Sequence, residues 1–406
     1  MLRPGQVVAL CVLALLTLGV VMVNSASMTV APKNGLPAAP LTLGAVVGSK
    51  PTLYMGLAVA ALALGAFMPV RSLASAMGVP DHEIDRSDTP VWHGLVPLAC
   101  ALGAIIVILA LVYTPLVGHE ANGSRRWIRV PVPGLGNTSM QPSEIAKWAM
   151  VVVVASYCVK RAAVMHQFWR GLVPGLLVLG SVAGFIVLED LGTGVLIAAV
   201  ACIMLLAAGA RLWQFLMFVP VAFIGLIAAI VTNPYRINRL TAFLDPYLDP
   251  KGIGYHMIQS MRAVAGGAGP GLGLGHGQQK FGYLPEDTTD FLFAIICEEL
   301  GIAGACVVIG LFGCLVWSGY SIMRREHEPF LKLVALGILA TLGLQAIINL
   351  AVVTGLGPTK GIALPLVSSG GTGWILTSFS LGLLAAIDRT QPHREVIVSA
   401  PRIAAA

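Results

Sequence analysis

Charge is the first thing this chain lacks. Asp, Glu, Lys and Arg make up 11% of its 406 residues, while 57% are hydrophobic; an ordinary soluble domain carries about 25% charged residues. A soluble globular protein is therefore excluded. Histidine and cysteine patterns that carry chemistry are missing too. The eight histidines form neither an HExxH pair nor a Cys/His cluster, so no protein-built metal ligand set is visible. Cys11, Cys100, Cys158, Cys202, Cys297, Cys306 and Cys314 lie singly in or beside apolar runs, as packing residues do. Neither a Walker loop nor a strand-linked GxGxxG occurs. The glycine stretch from Gly266 to Gly277 is left with two readings, close backbone approach or a flexible loop.

What the chain has instead is long apolar runs. A hydrocarbon core of about 30 Å takes roughly 20 helical residues to cross, and runs of this kind occur at 7–23, 52–69, 94–117, 145–159, 172–188, 191–209, 214–231, 291–317, 331–353 and 374–388. The expected fold is an all-α polytopic membrane protein with about ten transmembrane helices, one membrane domain over residues 1–406, and a large extracytoplasmic loop, about 232–290, between helices 7 and 8. The first run follows Arg3 without a small-residue cleavage site and reads as a retained helix. Lys160, Arg161, Arg211, Arg324, Arg325, Arg389 and Arg394 fall after every second span, which predicts cytoplasmic loops there and both termini inside. That placement accounts for the net charge of +6 without a nucleic-acid partner. The 70–93 loop, with the mixed charges from Asp81 to Asp88, falls on the same side and is assigned no chemistry.

Three loops on the predicted outer side, 118–144, 232–290 and 354–373, are rich in polar and special residues, and long loops of this kind usually carry function. Asp290 stands where the largest of them meets the apolar run FLFAIICEELG. A carboxylate at that depth is a functional candidate by default, and partial desolvation would tune it as a general base. A helix N-cap is the alternative. Glu144 and Lys147 are three apart on one helical face, which lets them pair beside a cavity. Glu298 and Glu299 lie deeper and are expected to face the bundle interior. Lys360 is the one cation of the loop TGLGPTKGIALPLVSSGGTG, whose hydroxyls include Ser368, and together they suit an anion pocket. Arg236, Arg239, Arg262 and Lys280 add positive charge on the same side; they would attract a lipid diphosphate, or else snorkel to headgroups.

Four ordered signatures carry a family likeness: GSRRWI with QPSEIAKW at 123–148, EDLGTG at 189–194, the loop through LPEDTTDFLFAIICEELG at 284–301, and PTKGIALPLVSSGG at 358–371. In these the chain resembles the shape, elongation, division and sporulation (SEDS) proteins, represented by FtsW and RodA, over nearly its whole length. The stretch QQKFGYLPE is closer to the FtsW, division-type branch. The resemblance implies a peptidoglycan glycosyltransferase that polymerises lipid II at the outer face of the bacterial cytoplasmic membrane, at the division septum. Under it Asp290 is the general base, while Lys360 and the loop arginines hold the diphosphate, with a divalent cation, Mg or Mn, as a candidate companion. Glu144 and Lys147 resemble the family pair beside that cavity. The implied partners are lipid II, a class B penicillin-binding protein transpeptidase, divisome proteins and membrane lipid.

The chain departs from the family pattern at four places: Thr288 stands where histidine is usual, His256 where glutamine is common, Glu189 where proline is usual, and Ser369 where an aromatic is usual. None removes a proposed catalytic group. Three other functions stay open at this level: a lipid II flippase, a RodA-type elongation polymerase, and a scaffold that only recruits the transpeptidase. No repeat between the halves, of the kind transporters show, is evident.

Overall fold

The structure, a computed structural model, describes residues 2–28, 42–77, 96–114, 118–121, 124–132, 136–369 and 371–391. The Asp81–Asp88 run, Gly370 and Arg394 lie outside them.

Each of the ten apolar runs forms a helix. In chain order the first elements are α1 (Pro4–Ala26), the short α2 (Leu43–Val47), α3 (Lys50–Phe67), the short α4 (Val70–Met77) and α5 (Val96–Ala110). Three strands follow, β1 (Gly118–Ala121), β2 (Ser124–Val132) and β3 (Gly136–Met140). Then come α6 (Pro142–Lys160), α7 (Val173–Glu189), α8 (Leu191–Ala207), the short α9 (Leu212–Leu216) and α10 (Val219–Val231). The largest loop holds α11 (Pro234–Leu244) and α12 (Tyr255–Gly266), and the chain closes with α13 (Leu292–Arg325), α14 (Pro329–Val353) and α15 (Thr372–Thr390). Proline in the first turn of α1, α3, α6, α7, α10 and α14 explains where these helices begin: its fixed φ suits that position, and its missing N–H has no helical partner there anyway. Among the described residues, seven helices are long and apolar enough to cross a membrane by length and composition, and Ala99–Tyr113 and Leu191–Ala207 are shorter apolar ones.

The bundle is built on close backbone approach. α15 packs along α3 and α1, α1 along α13, and α14 against α13, α8 and α6. The α3–α15 contact runs through Gly65 and Gly382, where an added Cβ would lie 2.3 Å from Phe379 O and Leu62 O respectively. Small residues at crossings are how helices associate in lipid, where burial of apolar surface supplies little drive. α10 is the exception, packing mainly on α9 and α11, and only 6% of the Leu212–Val231 window is buried. An all-round apolar helix so exposed faces lipid.

The 118–144 loop is the feature the sequence reading did not anticipate. β1, β2 and β3 form an antiparallel sheet in that order, with Ile128 opposite both Gly118 and Met140. Ser124–Val132 is rich in β-branched and aromatic residues, a strand signal overshadowed by the long apolar runs.

The glycine stretch proves to be a close-approach segment. A Cβ at Gly267 would lie 1.8 Å from Cys297 O, and Gly271, at φ +79°, leaves only 2.3 Å to Glu299 O. Gly301 interrupts α13 at φ 63°, ψ −156°, a conformation open to glycine. Glu298 and Glu299, both buried, hold this coil. Glu298 accepts from the N–H of Gln278 (2.9 Å), and Glu299 from Gly275 N–H (3.0 Å) and Ser25 Oγ (2.7 Å). Lys280 Nζ lies 2.7 Å from Glu299 Oε1 with both side chains wholly buried, so the ammonium neutralises the carboxylate where an unpaired charge would be prohibitive.

At the opposite end of the bundle Arg71 pairs bidentately with buried Glu326 (2.9 and 2.8 Å), and Asp388 accepts the Gly5 N–H at 3.0 Å. These contacts tie α4, the ends of α13 and α15, and the start of α1 together.

Lys280→Met leaves Glu299 charged and unpaired, and should lower stability by about 3–5 kcal/mol. Thermal unfolding in detergent checks this, with Arg262→Ala at an exposed site as a control expected to change stability by less than about 0.5 kcal/mol.

Candidate functional site

A cavity of about 720 Å³ opens at the bundle end that carries the sheet and the 232–291 and 354–371 loops, and Asp290, Lys360, Glu144, Lys147, Arg126, Arg239 and His256 are among the residues lining it. Each arrives from a different element. α6 brings Glu144 and Lys147 and β2 brings Arg126; α11 carries Arg239 and α12 carries His256.

Asp290 does not cap α13. Phe291 is the N-cap, and it makes no side-chain cap bond. Among the described residues the Asp290 carboxylate accepts no hydrogen bond, yet it is partly buried. A Cβ at Gly361 would come within 3.0 Å of its Oδ2, so the 358–368 loop runs directly against it. Burial pushes its pKa up to about 7; Glu286 and Asp190 push the same way, and Arg239 and Arg126 oppose them. Glu286 sits at φ 56°, a left-handed conformation strained for a residue with a side chain, and such outliers gather at functional sites.

The backbone around Asp290 is held by one side chain from α14. Asn349 Nδ2 donates to Asp290 O at 2.8 Å and to Ile362 O at 2.7 Å, fastening the two site loops to each other. One turn away, Gln345 donates to Ala363 O (3.0 Å) and accepts from Lys147 Nζ (2.9 Å). Sequence reasoning missed both. Their signal was available: Thr341, Gln345 and Asn349 recur every four residues in an apolar helix, a buried polar stripe along one face.

Glu144 and Lys147 do meet. Lys147 Nζ lies 2.9 and 2.8 Å from the two Glu144 oxygens, with the lysine side chain 2% exposed and the glutamate 17%, so the carboxylate is the member open to the cavity. Lys360 makes no ion pair or hydrogen bond among the described residues. Burial lowers its pKa, with Asp190 raising it and Arg239 lowering it further. Arg239 donates to Thr359 O at 2.9 Å and lies over the Tyr235 ring. Arg126 reaches Asp190 at 3.8 Å, and its Nε is buried without a partner. Asp190 in turn caps α8 through Thr193 N–H at 3.1 Å. Arg126 and Asp190 stand in two of the family signatures, though no role was read for either.

The other predicted site residues lie elsewhere. Arg236 does not line the cavity; it donates to Ala229 O and Val187 O, both at 2.8 Å, and pins α11 to α10 and α7. Arg262 is exposed on α12, away from the cavity. Lys280 is consumed by Glu299. All three side chains lie on the same end of the molecule, but sequence position shows the end and not the direction of the side chain. Ser368 lines the cavity, yet its Oγ accepts from Leu364 N–H at 3.0 Å, closing the loop. Thr288 does not line it; its carbonyl accepts from Ser369 N–H at 2.9 Å. No group of three His, Cys, Asp or Glu side chains is placed to hold a metal among the described residues.

An apolar bundle with a charged cavity at one end, whose lining holds an acid of raised pKa and the uncommitted cation Lys360, is an integral membrane protein equipped for chemistry on a polar group at the bilayer surface. The chain belongs to the FtsW/RodA/SpoVE family: the family model, described as cell cycle protein, matches residues 95–393. A Thioalkalivibrio sulfidiphilus relative named "Probable peptidoglycan glycosyltransferase FtsW" is 37% identical, over 97% of this chain and 90% of its own. Stage V sporulation protein E of Bacillus subtilis is 39% identical over 73% of this chain and 79% of its own. Among solved structures, a chain from a peptidoglycan synthase complex that coordinates polymerization and crosslinking superposes with a TM-score of 0.69 at 26% identity, covering 95% of this chain and 97% of that one. The rod shape determining protein RodA of Thermus thermophilus shares the fold, with a TM-score of 0.59 at 23% identity over 95% and 97% of the two chains. Family and apolar helices together make this an integral inner-membrane protein.

Asn349→Leu should leave the carbonyls of Asp290 and Ile362 without donors and cost about 2 kcal/mol or more. A lowered unfolding midpoint in detergent, together with increased proteolysis near residue 290, is the expected result.

Proposed function

We propose that this protein is a peptidoglycan glycosyltransferase of the FtsW division type, polymerising lipid II into glycan strands at the outer face of the cytoplasmic membrane. The observation that carries this reading is the Asp290 carboxylate. It lines a cavity of about 720 Å³, its pKa is raised to about 7, and among the described residues no protein donor satisfies it. A base is most effective when its pKa lies near the working pH.

The step follows from that arrangement. The 4-hydroxyl oxygen of one sugar attacks the anomeric carbon of another. The carbon–oxygen bond to the diphosphate breaks with its electron pair leaving on undecaprenyl diphosphate, and the hydroxyl proton passes to Asp290. Lys360, Arg239 and Arg126 face the cavity where the departing negative charge would collect. Arg239 and Arg126 also keep the raised pKa of Asp290 from blocking its ionisation, since a cation favours the charged form. We assign any divalent cation, Mg or Mn, to the diphosphate of the substrate and not to a protein-built site.

Orientation follows from the basic residues. Lys160, Arg161, Arg324, Arg325 and Arg389 end helices at the side opposite the cavity, and the positive-inside rule supports a cytoplasmic position for them and both termini. The cavity then faces outward, where glycan strands are built. A class B penicillin-binding protein transpeptidase is the partner this reading requires, because a new strand must be crosslinked; divisome proteins and the septum follow from the division-type relatives.

Asp290→Asn should fold and bind its partner normally while abolishing polymer from purified lipid II, because the near-isosteric amide cannot take the proton. Equal polymer from this variant would remove Asp290 as the base, and lipid II translocation without polymer from the wild type would favour a flippase. Wild-type activity should climb as pH rises through about 7, where Asp290 loses its proton. Lys360→Met should slow strand formation by roughly 10²-fold, the usual effect of losing one preorganised charge-stabilising donor.

A further inference from the structure

His256 is the histidine that lines the cavity among the described residues, and the mechanism above leaves it without a task. It stands in the first turn of α12, with its ring 6.2 Å from the ring of Phe291 and tilted by 37°. Phe291 directly follows Asp290, and His256 and Asp290 line the same cavity. The ring is partly buried, yet neither nitrogen has a hydrogen-bond partner among the described residues. Hydrogen-bonding groups that face a cavity and are unclaimed by protein are available to a ligand that enters it.

The surrounding charges define what that is. Arg239 from α11 and Glu286 from the loop before α13 act on the ring directly, and Asp249, Asp290 and Lys360 line the same cavity. Burial comes first and Arg239 second in lowering the pKa of His256 below its usual value, with Glu286 opposing, so the imidazole is neutral at pH 7. A neutral imidazole presents one donor and one acceptor. That pair complements a hydroxyl or an acetamido group. It is a poor match for a diphosphate, which the neighbouring Lys360 and Arg239 suit far better.

We infer that His256 binds the sugar portion of the lipid-linked substrate, hydrogen-bonding a hydroxyl or acetamido group so that the sugar is seated against Asp290, while Lys360 and Arg239 take the diphosphate. The inference rests on reading this cavity as the transferase site.

The test is binding to full-length protein in nanodiscs, with Asp290→Asn as the common background to prevent turnover. The two probes are lipid II and sugar-free undecaprenyl diphosphate. His256→Ala should weaken lipid II by about tenfold, the equivalent of one or two hydrogen bonds, and change undecaprenyl diphosphate by less than about twofold. His256→Gln, which keeps a donor and an acceptor, should hold lipid II within about threefold. If the alanine variant does not fold, the contrast between His256→Gln and His256→Leu decides in its place. Equal weakening of both probes, or no weakening of lipid II, overturns the assignment. Polymerisation by the wild type is scored separately: the binding pattern without any polymer would sink the polymerase reading and leave the sugar site standing.

Discussion

Inside an apolar bundle, every polar group that is not given to solvent or substrate has to be satisfied by the protein itself. That single constraint organises the whole site. Glu299 is surrounded by Lys280, Ser25 and two backbone N–H groups, and Glu298 by the backbone of Gln278 and Gln279. The glycine-rich coil is thereby fastened to α13, and the same coil leads into Asp290. From the other side Asn349 binds the carbonyls of Asp290 and Ile362, fastening the loop that carries Lys360.

Against this background of satisfied groups, those left open acquire meaning. The side chains of Asp290, Lys360 and His256 line one cavity with no protein hydrogen-bond partner among the described residues, whereas buried Lys280, Glu298 and Glu299 are engaged by the protein. Their protonation states are set by burial and by shared neighbours. Burial disfavours every charge, so Asp290 rises and Lys360 falls, and Arg239 holds the carboxylate towards ionisation while holding His256 neutral. Asn349 fastens the backbone on either side of the site, and an acid–base site is only as accurate as the loops that carry it.

Much of the fold was legible because membrane helices declare themselves locally. A run such as Val7–Val23 is apolar enough that its environment is decided by its own composition, and prolines such as Pro142 and Pro329 mark the starts. The Glu144–Lys147 pair was legible for the same reason, since i and i+3 neighbours on a helix meet whatever surrounds them. The β1–β2–β3 sheet was not, because its register depends on pairing across turns and its strand signal is short. Nor was the Asn349 clamp, although the polar stripe through Thr341 and Gln345 advertised a face that needed partners.

By itself the sequence determined the course of the long apolar helices, the family, the end of the molecule where chemistry gathers, and Asp290 as its candidate base. These are properties of composition, local period and short motifs. Only the tertiary structure decided which cations serve the cavity. Arg236, Arg262 and Lys280 share a loop with Asp290, but one ties helices together, one is exposed and one is spent on a buried glutamate. Arg126, Arg239 and His256 were brought in from a strand and two loop helices. The physical reason is that burial and side-chain direction are set by contacts between segments far apart in the chain, and no local pattern encodes them.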